Sequence, residues 1–292
     1  MNTKDLEYFH ELVQQKNFSK VADYFNVSQP TISQAIKRLE EEFSTQLFAR
    51  DHSHGIVQVT AAGRQLDSHA LSVLNGLTVA HADVVRVHNT RIRFGLPPII
   101  GNYLFPQFTP RLMQANILPH LDVVEHGSAQ LLRMLRKGDI DMALLGSLTP
   151  LREMGIKSVQ IGNYPLVIIA SQKNQRLQNI KEPVHFEQLR HEQFIALNKE
   201  FVHYEAFNQL CRQTHVRPKI IYQGTDIQII KTLVKNNLGI SYITTAAINA
   251  HDQLLQIPVT EMQQSLNCYC VIRESAILRP IEQQAWEIFT KH

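Results

Sequence analysis

Cysteine is scarce in this 292-residue chain: only Cys211, Cys268 and Cys270. An odd, sparse set excludes a disulfide framework and fits a reducing compartment. No uninterrupted apolar run reaches the ~18 residues that cross a bilayer. The start, Met1-Asn2-Thr3-Lys4-Asp5, lacks the basic and then apolar pattern of a secretory signal. A cytoplasmic location, away from any membrane, is the expectation. Charge of one sign is also scarce. The net charge of +3 does not announce a nucleic-acid partner by itself. Residues 1–58 carry six Lys/Arg and eight Asp/Glu, whereas 91–292 carry 21 and 16. An N-terminal DNA reader would have to rely on locally placed charge. The glycines at 95, 101, 127 and 146 are too scattered for a P-loop, a dinucleotide fingerprint or a nucleophile elbow. His52-x-His54 has no cysteine or carboxylate at zinc-site spacing. The expectation is no catalytic constellation, no metal and no cofactor. What is present, 44% hydrophobic and 19% charged residues, is the composition of a globular chain long enough for about two domains.

The first sixty residues read as helices followed by a hairpin. Leu6, Phe9, Leu12 and Val13 recur at helical spacing after Thr3. Ser19 is a candidate cap for a second helix holding Val21, Ala22 and Phe25. Ser28 is a candidate cap for a third, with Pro30 tolerated in its first turn. Ile32, Ile36, Leu39 and Phe43 give that third helix an apolar stripe. Two short β-like runs, 46–50 and 56–59, flank the turn composition Asp51-His52-Ser53-His54-Gly55. Helix-turn-helix plus hairpin is a winged helix. Thr60 then caps a long helix over 60–88, ~43 Å at 1.5 Å per residue. Leu66, Ala70, Val73, Leu77, Ala80, Val84 and Val87 are spaced alternately by four and three, a heptad seam that a second copy of the chain or the helix's own domain could cover. From Arg91 strand candidates (92–95, 121–125, 142–145, 164–170, 194–196, 219–222, 240–243, 267–272) alternate with helical stretches (102–114, 128–137, 201–214, 227–237, 280–290), which predicts a mostly parallel sheet covered on both faces. Residues 159–165 and 261–268 are the candidate crossings between two subdomains.

The run Ser28-Gln29-Pro30-Thr31-Ile32-Ser33-Gln34-Ala35-Ile36-Lys37-Arg38-Leu39-Glu40 carries the strongest chemistry. Small hydroxyl and amide side chains at a helix start can bond base edges, and basic residues one turn on can reach phosphates. On composition alone a solvated helix face fits as well. Position changes the balance. Leu6-x-x-Phe9, Asn17-Phe18-Ser19-x-Val21-Ala22, the Ser28–Glu40 run, Leu47-Phe48-x-Arg50 and Val57-x-Val59-Thr60-x-Ala62-Gly63 stand in the order and spacing of the LysR-type transcriptional regulators, which residues 1–63 closely resemble. Farther on, Gly138-Asp139-Ile140-Asp141-Met142-Ala143 looks like the family's G-x-x-D-x-A segment.

The resemblance implies a winged helix-turn-helix domain over 1–59, a linker and dimerisation helix over 60–90, and an α/β effector domain over 91–292. That last part is similar to a periplasmic binding protein, with subdomain I at about 91–161 and 267–292 and subdomain II at about 162–266. It implies that Ser28, Gln29, Pro30, Thr31, Ser33 and Gln34 line a major groove, and that Lys37, Arg38 and Arg50 hold phosphates. Many relatives have arginine at the place of Gln34 and a basic wing residue where this chain has His52 or His54, so DNA affinity is expected to rise as these histidines protonate. Strand ends in open sheets bind ligands, which makes Pro98, Ile99, Gly101, Asn102, His126, Gly127, Ser128, Gly146, Ser147, Asn198, Thr225 and Thr244 the candidate effector contacts, with Ser128 also a candidate helix cap. Arg50-Asp51-x-Ser53-His54 and Asn2-x-Lys4-Asp5-Leu6-x-Tyr8-Phe9 resemble the malolactic-fermentation branch, which implies a dicarboxylate such as L-malate. The implied partners are double-stranded promoter DNA, the effector, the chain itself as dimer or tetramer, and RNA polymerase. Two other classes stay open on the residues: a solute-binding module that uses its N-terminus only to dimerise, and an enzyme built on the α/β part.

Overall fold

The computed structural model describes residues 2–50, 57–180 and 182–291. The chain divides into two compact units, Met1–Val87 and His88–His292. Among the described residues no helix is long and apolar enough to cross a membrane.

The first unit holds α1 (Thr3–Gln15), α2 (Phe18–Tyr24), α3 (Gln29–Glu42), β1 (Phe48–Arg50), β2 (Val57–Val59) and α4 (Ala61–Val85). Its core is the apolar stripe of each helix: Leu6, Phe9, Leu12, Val21, Ile32 and Leu39 are almost wholly buried with Leu47. The second helix is capped by Asn17, whose side chain accepts from the Lys20 N–H, and not by Ser19, which lies inside the first turn. The β1–β2 pair is antiparallel, Phe48 opposite Val59. Glu40 Oε1 accepts from the Leu47 N–H at 2.8 Å and ties α3 to the start of this hairpin. Thr60 caps α4 as expected, accepting from the Gly63 N–H at 3.0 Å. Gly63 is required there: a Cβ would stand 2.3 Å from the Leu47 carbonyl oxygen.

The second unit runs β3 (Ile92–Gly95), α5 (Pro98–Tyr103), α6 (Thr109–Gln114), β4 (Leu121–Val124), α7 (Ser128–Lys137), β5 (Met142–Ser147), β6 (Ile156–Ser171), β7 (Gln193–Leu197), α8 (Val202–Thr214), β8 (Lys219–Gly224), α9 (Ile227–Lys235), β9 (Ser241–Thr244), β10 (Leu254–Ile257), β11 (Ser265–Arg273) and α10 (Pro280–Thr290). The helix expected over 102–114 is broken. Pro98, Pro106 and Pro110 each stand at the start of a short helical piece, because proline supplies no N–H to a preceding turn. The sheet is mixed rather than mostly parallel. In one lobe β4, β3 and β5 run parallel, and β11 enters antiparallel between β5 and β6. Residues 156–165 of β6 pair with β11, and from Leu166 on the same strand pairs with β9 and β10 in the other lobe. A Phe194–Ile240 bridge brings the parallel β7–β8 pair alongside. The first expected crossing, 159–165, is therefore part of a continuous strand, whereas of the second, 261–268, only 265–268 belong to a strand, β11.

The G-x-x-D-x-A segment has a local explanation. Gly138 ends α7 at φ +73°, a conformation that favours glycine. Asp141 accepts from the Arg93 backbone N–H at 2.8 Å and from its guanidinium, which fixes the start of β3.

Candidate DNA interface and ligand cleft

The inner face of α3 buries Ile32, Ala35, Ile36 and Leu39. Gln29, Pro30, Gln34, Lys37 and Arg38 are exposed on it, Thr31 and Ser33 are half-buried, and Ser28 is exposed just ahead of it. Ser28 sits at the cap position, but its hydroxyl meets the Thr31 hydroxyl at 2.8 Å instead of a backbone N–H. Lys37 lies 3.5 Å from Glu41, both well exposed, a pair that a phosphate can replace at little cost. Arg38 is different. Its Nε and one terminal nitrogen reach the buried carboxylate of Asp5 on α1, at 3.1 and 2.5 Å. Two donors of its fork are thus committed to holding α3 on α1. Arg50 closes β1. His52 and His54 lie outside the described residues.

The α4 seam divides. Leu66 and Leu74 pack on the domain's own core and Ala70 is buried within it. Val73, Leu77 and Val84 remain 49%, 46% and 72% exposed, and Ala80 is exposed as well. Val87 lies past the end of the helix, 58% exposed. An amphipathic helix normally buries such a stripe. The part of the seam left for a partner starts at Val73.

Within the second unit a cavity of about 610 Å³ opens where the lobes meet. Seven sequence candidates line it: Pro98, Ile99, His126, Gly127, Ser128, Gly146 and Thr225. The other five do not, and most have local duties. Thr244 is buried and caps a following turn. Asn198 Oδ1 accepts from the Glu200 N–H, and Ser147 Oγ from the Thr149 N–H. Gly101 packs against Leu96, and Asn102 is exposed. Ser128 is the first residue of α7, not its cap; Gly127 holds that place, and Ser128 Oγ accepts from the Gly146 N–H at 2.9 Å.

The cavity floor is apolar: Ile99, Ile100 and Leu266 are each at least 95% buried. Its rim carries Glu125, His126, Arg133, Lys199 and Glu200. The starts of α7 and α8 both reach it, and neither helix has a side-chain cap. Uncapped helix starts present N–H groups and positive partial charge to an anion. On the floor, too, is His203, 4% exposed, with neither ring nitrogen hydrogen-bonded among the described residues. Burial pushes its pKa down to about 4. Sequence reading missed Arg133 and His203 as lining residues. A signal for His203 existed: it falls in register with Ala206, Phe207 and Leu210 on the buried stripe of α8.

Contacts at two places, Tyr103 and Gly127, join the lobes beside this cavity. Gln228 on α9 donates to the Tyr103 hydroxyl at 2.7 Å, and Lys231 Nζ lies 4.9 Å from the Tyr103 ring centre. Gly127 lies so close to Glu200 that a Cβ would be 2.6 Å from its carbonyl oxygen.

Among the described residues no group of three or more His, Cys, Asp or Glu is placed to hold a metal. The cysteines are kept as thiols. Burial raises Cys211 to about 11 and Cys268 to about 12, and raises Cys270 further.

Residues 3–64 match the bacterial regulatory helix-turn-helix protein model of the lysR family, and residues 86–292 match the LysR substrate binding domain. The chain is 32% identical over 290 residues to the malolactic fermentation system transcriptional activator of Lactococcus lactis subsp. lactis (strain IL1403), covering 99% of this chain and 98% of that protein. The fold is shared with full-length CbnR in complex with its target DNA (TM-score 0.53, 17% identity, 99% of each chain). It is shared with the effector binding domain of QuiR in complex with shikimate (TM-score 0.57, 14% identity, 69% of this chain and 95% of that one).

Proposed function

The chain belongs to the LysR family of transcriptional regulators, which are DNA-binding proteins and not enzymes, and on that premise we propose that it reads a promoter through α3 and is switched by a small carboxylate held between the lobes of its effector domain. The observation that carries the first half is the exposed hydroxyl and amide face of α3 over a fully buried inner stripe. Ser28, Gln29, Pro30, Thr31, Ser33 and Gln34 meet base edges, while Lys37 and Arg50 hold phosphates, with what Arg38 has left beyond Asp5. Residues 1–59 are the reader, 60–90 the linker and 91–292 the effector domain. In the latter, 91–161 with 267–292 form one subdomain and 162–266 the other. The uncovered α4 positions from Val73 onward pair two copies, as a dimer or as half of a tetramer. RNA polymerase is the further partner, in the cytoplasm.

The effector reading rests on the lobe-junction cavity with its two uncapped helix starts. The Lactococcus relative takes its name from malolactic fermentation, which makes L-malate the first ligand to try. Binding that differs between two lobe arrangements shifts their populations and, through α4, the spacing of the paired readers. The test is sequencing of genomic fragments retained by the purified protein, with and without L-malate, at two salt concentrations. A few interrupted palindromes whose footprint changes with malate is the expected result. Uniform, salt-labile recovery of all fragments refutes base readout. Failure to retain DNA at low salt promotes a pure solute-binding role.

A further inference from the structure

A buried imidazole normally satisfies at least one nitrogen with the protein. His203 satisfies neither and lines the cavity floor. The ring is neutral, and burial is the cause of its low pKa. On the cavity rim are Arg133 of α7, Lys199 and Glu200 ahead of α8, and Glu125 and His126 after β4. Of the elements packed on α8, β7 carries no titratable group, β9 contributes Tyr242, and the turn at Phe186–Leu189 contributes Glu187; α8 itself carries Tyr204, Glu205, Cys211 and Arg212. None of these is hydrogen-bonded to the ring.

Resting on the reading of this cavity as the effector site, we propose that His203 is the residue that selects a carboxylate: it takes up a proton as the acid enters and holds it as an imidazolium–carboxylate pair. The argument is one of mutual need. A carboxylate pushed against Ile99, Ile100 and Leu266 gives up its water, and a buried charge is tolerated only when paired. The start of α8 supplies partial positive charge to the same spot. A neutral imidazole can donate one N–H, but a nearby anion favours the charged ring and raises its pKa from the ligand-free value. The balance is simple: one proton moves from solvent to the ring and no covalent bond changes. Below the raised pKa, and above about 4, each bound carboxylate then brings up to one proton. Affinity therefore weakens as pH rises through the bound-state value.

The test is titration calorimetry of the full-length protein with L-malate, succinate and the neutral L-malamide, in two buffers of different protonation enthalpy, between pH 5.5 and 7.5. For the wild type, net proton uptake is expected with both acids. The dissociation constant should rise roughly three- to ten-fold per pH unit over part of that range, and malamide should bind at least about ten-fold more weakly. His203→Gln and His203→Asn should bind the acids without the extra proton. Proton changes on the ligand and elsewhere on the protein are common to all three proteins and cancel in the comparison. Because either variant could fold poorly, histidine 15N spectra of the wild type supply an independent reading. The His203 ring should be neutral at pH 6 when free and an imidazolium when L-malate is bound. Equal proton uptake in wild type and variants, or a ring that stays neutral with ligand bound, overturns the role of His203 and leaves the cleft reading standing. No heat from either acid overturns the cleft reading and this inference together.

Discussion

Asp5 and Arg38 show how much one ion pair can change a functional assignment. By its resemblance to the family Arg38 is a phosphate contact; in the structure it holds the buried Asp5 carboxylate across two helices. Three substitutions on α3 therefore separate by readout. Gln29→Ala should weaken specific sites far more than random DNA. Lys37→Ala should weaken both and shrink the salt slope. Arg38→Ala should weaken both and also lower the thermal midpoint, because it strands a buried carboxylate. Equal losses on both DNA classes for Gln29→Ala, by titration at two salt concentrations, would refute base readout at that residue. His203 gives a second residue-scale expectation, with its sign fixed by linkage. Its folded pKa of about 4 lies below the unfolded value. The unfolded chain thus binds more protons, and folding is penalised as pH falls from about 6.5 toward 4. At pH 5 the penalty is about 2 kcal/mol. Urea unfolding of ligand-free wild type and His203→Gln at pH 7 and pH 5 should show that difference. An identical pH dependence would mean the ring is solvated. Residue roles were legible where a side chain acts on its own chain neighbours, as at Thr60. They were hidden where the partner is distant in sequence, as for Asp5 and Arg38.

At the scale of elements, α3 and α4 illustrate what periodicity can and cannot tell. The buried stripe of α3 follows its sequence pattern at Ile32, Ile36 and Leu39 and adds Ala35, whereas Phe43, expected on it, lies past the helix end and is 43% exposed. The seam of α4 is periodic throughout, yet its first turns serve the helix's own domain and the later ones remain bare. Spacing gives a face but not its occupant. Leu77→Asp, near the middle of the bare part, should shift the protein toward monomers by sedimentation at micromolar concentration and cost operator affinity at least ten-fold, since one reader then binds without its twin. A dimer of unchanged strength would place the interface elsewhere. The strands were less legible than the helices. β6 was expected from 164 on, but it begins at Ile156. Its first half alternates at partial exposure against β11, and lacks the continuous apolar run of its second half. Pro98 was expected in a loop and instead opens α5, because proline suits a first helical turn.

For the whole molecule, the two lobe contacts give the cleft a defined width. Gly127 carries no conformational demand at φ −64°; its role is to leave room for the Glu200 carbonyl. Gly127→Val should hold the lobes apart and weaken effector binding by about ten-fold or more, with DNA affinity in the absence of effector unchanged. Calorimetry with L-malate and an operator shift assay check the two halves. Unaltered effector affinity would mean that the lobes do not close on the ligand. The cleft was legible as a place, since seven of its residues were named from strand ends. The placing of His203 on its floor was not, because which helix faces turn inward depends on how the lobes pack.

The position of β11 has a consequence for how the protein is made. This strand, Ser265–Arg273, is an interior member of the sheet, between β5 and β6, and α10 then stacks Phe289 on Phe94 of β3 at 5.0 Å. The first lobe is therefore stitched from both ends of its unit and stays unfinished until α10 has been synthesised. The winged-helix unit, whose core closes within its first 87 residues, can fold on the ribosome long before. A message cut short ahead of residue 265 would release a chain with an intact reader and α4 but no working effector domain. Under the pairing proposed for α4, that product would join full-length subunits and occupy their promoters deaf to the signal, so that a late nonsense mutation should be dominant where an early one is recessive.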